Sequence, residues 1–237
     1  MLSVAFSHFE EERFAIQNIK KIKQILKKFN FKYEILVIDD YSKVFPKKLE
    51  IFCKKNKVRF FRNEYNCGFF KCFVKGLVES KYENYKFFAG DDCTNTNDII
   101  KIFSYIGKYD LIIPFNIQSE VKGKPKFRKI LSYIYTHIVN FLSGYKIKYY
   151  NGLPLYRKKK ALLNLPDTSG YGWQAELIIN CLNNNCSYVE LLTRNKEIKF
   201  VYNSIKLKNV PSVLFSLVKI LFKRISPSRI KKIKLKF

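Results

Sequence analysis

No run of apolar residues in this chain reaches the ~18 to 20 positions that a membrane-spanning helix needs, so an integral helical membrane protein is excluded. Histidine is nearly absent. His8 and His137 are the only two, and the six cysteines show no Cys-x-x-Cys pairing, so no familiar zinc site can be assembled. Cys53, Cys67, Cys72, Cys93, Cys181 and Cys186 therefore read as free thiols of a reducing compartment. Met1 runs straight into a strand-like segment without a signal peptide, which gives the expectation of a cytoplasmic protein, at most peripheral on the inner face of the cytoplasmic membrane. Acidic residues are scarce as well: 19 Asp plus Glu stand against 45 Lys plus Arg, a formal charge of +26.

Apolar residues make up 47% of the 237, which rules out a disordered chain and suffices for the core of one α/β domain with a small appendage. The positive charge implies an anionic partner: nucleic acid, an acidic membrane surface or a phosphorylated substrate. Lys, Asn, Ile, Phe and Tyr are all abundant, as an A/T-rich coding sequence produces, and this accounts for part of the lysine excess.

Strand and helix patterns alternate along the first half. Strands are expected at Leu2 to Phe6, Tyr33 to Ile38, Val58 to Phe61, Tyr85 to Ala89 and Leu111 to Pro114. Helices are expected at Phe14 to Phe29, Leu49 to Asn56, Phe69 to Ser80 and Asp98 to Ile106. The continuous apolar run YEILVI is that of a strand buried on both faces in a parallel sheet. The alternation specifies a doubly wound, mostly parallel α/β sheet. In such sheets ligands bind beyond the carboxyl ends of the strands, which is where the loop Ser7 to Glu12, the pair Asp39-Asp40, the loop with Asn66 and Gly68, and the pair Asp91-Asp92 all fall. Three acidic clusters on one edge of a strongly basic protein read as a site. Asp91 and Asp92 close the run YKFFAGDD, and paired carboxylates at a strand end suit a hard divalent cation that keeps positions open for phosphate; a simple Gly-Asp turn is the plain alternative.

The second half differs in character. FRKILSYIYTHIVNFL (127–142) reads as an aromatic-rich helix with Arg128 and Lys129 at its start. A Tyr-Tyr-Asn-Gly-Leu-Pro turn leads to a strand-like Leu155-Tyr156, and GYGWQAELIINC (170–181) is a glycine-flanked loop running into a helix with Glu176. Tyr188 to Leu192 reads as a strand and Val213 to Ile225 as a short apolar helix. The tail RIKKIKLKF has a basic amphipathic character suited to anionic headgroups, or is a disordered lysine tail.

The order of these segments resembles the family 2 glycosyltransferases, and within them the dolichyl- or polyprenyl-phosphate mannose and glucose synthase-like group. The resemblance spans Leu2 to about Lys223. It is carried by YEILVIDDYS, FFRNEYNCGFFKCFVKGL, FFAGDD, FRKILS, YYNGLPLYRKKK and SGYGWQAELI. It implies a GT-A fold, with a domain at 1–205 whose donor half is about 1–115 and acceptor half about 116–205, followed by an amphipathic helix and basic tail at 206–237. It also implies a UDP- or GDP-hexose donor and Mg²⁺ or Mn²⁺. By that resemblance Ser7, Phe9, Glu11, Asp39 or Asp40, Asn66 and Gly68 hold the nucleotide, and Asp91 with Asp92 holds the metal. Arg128 and Ser132 face an acceptor phosphate, where a guanidinium offers a bidentate fork. The implied reaction moves a hexose to a polyprenyl phosphate at the cytoplasmic membrane face. A surface glycan is the alternative acceptor, and a basic nucleic-acid-binding domain is the alternative from another class, one that leaves the acidic strand ends unexplained.

The chain departs from the family pattern at three places. Its first loop reads Ser7-His8-Phe9-Glu10-Glu11 where Pro-x-Tyr-Asn-Glu is usual, Ala89 stands at the first Asp of Asp-x-Asp, and Arg128 is the one clear arginine of the acceptor helix. His8 reads as incidental to the donor loop. Trp173 is either a core ring or a wall of the acceptor site, and Glu176 a capping or ion-pairing residue.

Overall fold

The computed structural model describes residues 1–90, 94–117, 126–194 and 210–225. Seven strands form one sheet in the order β3-β2-β1-β4-β6-β5-β7: β1 Leu2–His8, β2 Tyr33–Asp39, β3 Arg59–Arg62, β4 Asn84–Phe88, β5 Leu111–Phe115, β6 Leu155–Arg157 and β7 Tyr188–Leu192. All pairings are parallel except those of β6, which runs antiparallel to both β4 and β5. This is the mostly parallel, doubly wound sheet that the alternating pattern predicts. The helices of the described residues are α1 Glu12–Leu26, α2 Lys47–Lys55, α3 Phe69–Glu79, α4 Thr96–Phe103, α5 Lys126–Ser143, α6 Lys158–Leu163, α7 Trp173–Asn183 and α8 Val210–Ile225.

Period-two alternation along each strand sends side chains into two separate cores. Leu2, Val4 and Phe6 of β1 with Ile35 and Val37 of β2 pack under α1, α2 and α4. Ala5, Leu36, Ile38, Tyr85 and Phe87 pack on the opposite side against α3, α5, α6, α7 and α8. Helix α1 meets the first core through Ala15, Ile19, Ile22, Ile25 and Leu26, a three-and-four spacing that defines one helical face. Phe14, which the sequence pattern assigns to that face, is exposed.

Most boundaries shift by one to three residues from expectation, and three of the differences matter most. β1 continues to His8, so Ser7 and His8 belong to the strand and not to the loop, because the β1–β2 register carries pairing as far as His8 opposite Asp39. β3 lies one residue later than Val58 to Phe61, since its register aligns Arg62 with Asp39. The six-residue α6 begins where the sequence shows only the end of a strand. The basic tail 229–237 lies outside the described residues. Among those described, no helix is long and apolar enough to cross a membrane.

Candidate active site

The registers bring His8, Asp39 and Arg62 side by side at the carboxyl edge of the sheet, with β4 ending beside them. Backbone bonds tie the strand ends together: Asp40 N donates to His8 O at 2.9 Å, and Asn63 N to Asp39 O at 2.9 Å. Above this edge opens a cleft of about 390 Å³ lined by Ser7, His8, Phe9, Glu11, Asp40, Asn66, Phe69, Ala89 and Gly90, a volume in the range of small-ligand sites.

Adjacent residues at a strand end point to opposite sides, and Asp39 and Asp40 do different things. Asp39 is fully buried. Its Oδ1 lies 2.8 Å from His8 Nδ1 and accepts the Ser42 hydroxyl at 2.6 Å, while Oδ2 lies 3.5 Å from Arg62 Nε. Burial by itself raises the carboxyl pKa, but the hydrogen bonds from His8 and Ser42 and the charge of His8 outweigh it and hold Asp39 below the usual carboxylate value. Arg62 is fixed in turn by donation to Ser42 O at 2.9 Å and by the rings of Tyr41 and Phe45, each 4.9 Å from the guanidinium carbon.

Asp40 lines the cleft. Its Oδ1 accepts Cys67 N at 2.8 Å and Asn63 Nδ2 at 2.9 Å, and its Oδ2 accepts Gly68 N at 2.8 Å. The carboxylate therefore holds the Asn63–Gly68 loop and sits at the amino end of α3, where the helix dipole favours a negative charge. Gly68 is the cap of that helix at φ +85°, a conformation that suits glycine. Asn66 is exposed and lines the cleft.

On the β4 side, Gly90 is pressed against β1: a Cβ there would fall 2.7 Å from Ser7 O. Asn18 Nδ2 donates to Gly90 O at 2.7 Å, so α1 clamps the same residue. Asp91 and Asp92 follow directly in the chain and lie outside the described residues. Among the described residues no group of three or more His, Cys, Asp and Glu side chains is arranged to hold a metal ion.

The structure thus brings Ser7, Phe9, Glu11, Asp40 and Asn66 around one cleft, with Gly68 tied to Asp40 and Asp39 seated behind them. Arg128 and Ser132 lie on α5, half-buried and away from the cleft lining. Trp173 resolves as a core ring, with centroids 4.7 Å from Phe73 and 5.2 Å from Phe70. Glu176 is fully buried in α7 and holds the preceding loop, accepting Asp167 N, Thr168 N and the Thr168 hydroxyl. His8 is not incidental: it is a buried residue braced on Asp39, and its Nε2 has no hydrogen-bond partner among the described residues. Sequence reasoning missed it because its partner is 31 residues away and no local spacing links the two.

The sequence model of glycosyl transferase family 2 matches residues 3–165, well over half of the chain. The chain belongs to glycosyl transferase family 2. A comparison with curated proteins gives no significant match. Among solved structures, this glycosyltransferase is similar to glucosyl-3-phosphoglycerate synthase from Mycobacterium tuberculosis, crystallised with Mn²⁺, uridine diphosphate and glucosyl-3-phosphoglycerate. There the TM-score is 0.64 and the identity 15%, over 94% of this chain and 79% of that one. It is also similar to mannosyl-3-phosphoglycerate synthase from Rubrobacter xylanophilus, at TM-score 0.67 and 12% identity over 98% of this chain and 77% of that one. At these identities the likeness establishes the GT-A fold.

Proposed function

We propose that this glycosyltransferase moves a hexose from UDP- or GDP-sugar, with Mg²⁺ or Mn²⁺, to a polyprenyl phosphate at the cytoplasmic face of a membrane. The observation that carries the donor half is the cleft at the carboxyl edge of the parallel strands, where an exposed aromatic ring, Phe9, stands with Glu11, Asp40 and Asn66. An aromatic face packs on a base, and carboxylates and amides bond base N–H groups and ribose hydroxyls. His8, buried on Asp39, sets the cleft floor from behind and is a positioning residue.

The residues fit a divalent cation. Gly90 is held against Ser7 at the cleft, and the next two residues in the sequence, Asp91 and Asp92, carry hard carboxylate oxygens, the donors that Mg²⁺ and Mn²⁺ select. Asp91, helped by Asp92, would hold the ion. When bound, the ion offsets the charge that builds on the leaving diphosphate. An acceptor phosphate is already ionised and needs no strong base, in keeping with His8 being committed to Asp39. The lipid acceptor is supported by the FRKILS, YYNGLPLYRKKK and SGYGWQAELI segments, with Arg128 and Ser132 assigned to its phosphate. The structural relatives named above are synthases of glycosylated phosphoglycerates, which are also phosphate-bearing products.

The test is transfer from radiolabelled UDP- and GDP-hexoses with Mg²⁺, offering polyprenyl phosphate, phosphoglycerate and a glycan in parallel. Label extracted into organic solvent only with polyprenyl phosphate is the expected result. Transfer only to a water-soluble acceptor would overturn the lipid assignment, and no transfer or donor hydrolysis with any sugar would overturn the whole reading. Asp91→Asn should lower kcat/KM by at least about a hundredfold with the thermal midpoint unchanged; retained turnover would place the metal elsewhere.

A further inference from the structure

Helix α5 is amphipathic in the reverse sense. Its inward positions are Thr136, Val139 and Ser143, whereas its outward positions are Phe127, Ile130, Leu131, Tyr133, Ile134, Ile138 and Phe141. Phe127 to Leu131 to Ile134 to Ile138 to Phe141 is a four-three-four-three stripe, one continuous helical face, and Phe141 at its end is 79% exposed. Helix α8 packs on α5 and on α7 and repeats the arrangement: Ser216 and Ile220 are fully buried while Leu214, Phe215, Val218, Leu221 and Phe222 are exposed. Twelve of the 24 large exposed apolar side chains of the described residues lie on these two touching helices. The five aromatic rings among them, each more than half exposed, alone present on the order of 500 Å², comparable to the largest apolar patch of a typical monomer before the seven aliphatic side chains are added.

We propose that the outer face of α5 and α8 is the surface on which this enzyme seats itself in an anionic lipid bilayer. Charge decides for a lipid surface over a second copy or another protein. Neither helix contains a single Asp or Glu, Lys126, Arg128 and Lys129 stand at one end of the α5 stripe, and Lys219 lies over the Phe215 ring with its ammonium 5.5 Å from the centroid. The sequence beyond α8 adds Arg229, Lys231, Lys232, Lys234 and Lys236 with no acidic residue, in a chain already at +26. An apolar face on two helices that carry cations and no carboxylate matches an interface of acyl chains under anionic headgroups, with the helices lying in its plane. Two copies meeting through this face would bring like charges together. The inference rests on the membrane part of the proposed function and locates it: α5 also carries Arg128 and Ser132, so the helix assigned to the acceptor phosphate is the one that would lie at the lipid surface.

The experiment is co-sedimentation of the full chain with vesicles of phosphatidylcholine alone or with phosphatidylglycerol as about a third of the lipid, in the absence of nucleotide and polyprenyl phosphate. The proposal expects binding at least tenfold tighter to the anionic vesicles, and a further loss of tenfold or more in the Phe141→Ser, Phe222→Ser double variant. Both positions lie outside the cleft, so the variant should keep its thermal midpoint and its nucleotide-sugar hydrolysis. Absence of binding to either vesicle, unchanged binding in the double variant, or a dimer in light scattering that the double variant dissociates would each overturn it. Because no acceptor is present, this outcome is read independently of which acceptor the enzyme uses.

Discussion

Asp40→Asn removes charge from a carboxylate that accepts three N–H groups at 2.8 to 2.9 Å and replaces one of its oxygens with a donor. The asparagine can keep the Cys67 and Asn63 bonds with its remaining oxygen, and its new amide then faces Gly68 N. Two bonds drop from charge-assisted to neutral, at about 1 kcal/mol each, and a partly buried N–H loses its acceptor, at about 1–3 kcal/mol. The sum is roughly 3–5 kcal/mol, and at about 2–4 °C per kcal/mol for a chain of this size the midpoint should fall by about 6–20 °C. Differential scanning fluorimetry measures this directly. A calorimetric titration with UDP, run well below the lowered midpoint, measures the second consequence: weaker donor binding, because the Asn63–Gly68 loop and Asp40 itself line the cleft. A midpoint within about 2 °C of the parent would refute the reasoning, showing that the loop is held by something other than Asp40.

Gly90→Ala places a Cβ 2.7 Å from Ser7 O, and since the obstacle is backbone, the loop or β1 must shift; a cost of about 1–3 kcal/mol and loss of transfer activity are expected in a urea titration and a donor-hydrolysis assay. Acid stability follows from Asp39. Its folded pKa lies below the unfolded value near 3.8, so its contribution is fully present above that value and is lost as pH falls through the lowered folded pKa; unfolding free energies from pH 6 down to pH 2 should show an acid limb that is shallower in Asp39→Asn.

The strands were legible because apolar and aromatic residues dominate most of their runs. YEILVI needs both faces covered whatever surrounds it, and Tyr188–Leu192 matches the sequence reading end to end. Glu11 and Asp40 meeting at one cleft was legible too, since topology alone puts the ends of β1 and β2 on one edge. The division of labour between Asp39 and Asp40 was not. Two consecutive residues must face opposite ways, and which one meets solvent is set by His8 and Asn63, 31 and 23 residues distant. The helix at 126–143 was legible as a helix, but a rich apolar face normally turns to the core, and only the packing of Thr136, Val139 and Ser143 shows that here it turns out. Ala89, a departure from the family pattern, lines the cleft and brings no side-chain oxygen to it.

Counting acceptor sites carries the comparison of the two aspartates one step further. A carboxylate has about four lone-pair positions. Around Asp39 they are met by His8 Nδ1, the Ser42 hydroxyl, the Ser42 amide at 3.4 Å and Arg62 Nε, all within the protein. Around Asp40 three are met by N–H groups and the Cys72 thiol makes a further, weak contact, but the residue lines the cleft, so a ribose hydroxyl or a base N–H competes there only with an S–H donor. Asp39→Asn should therefore lower stability by about 2–4 kcal/mol, through a buried network broken at its charged member, while the donor dissociation constant of the folded variant stays within about threefold, a change below 1 kcal/mol. Asp40→Asn should lose at least about tenfold in the same titration, or 1.4 kcal/mol. Equal losses of affinity in the two variants, both held below their midpoints, would mean that the saturated carboxylate reaches the nucleotide after all and that the acceptor count is wrong.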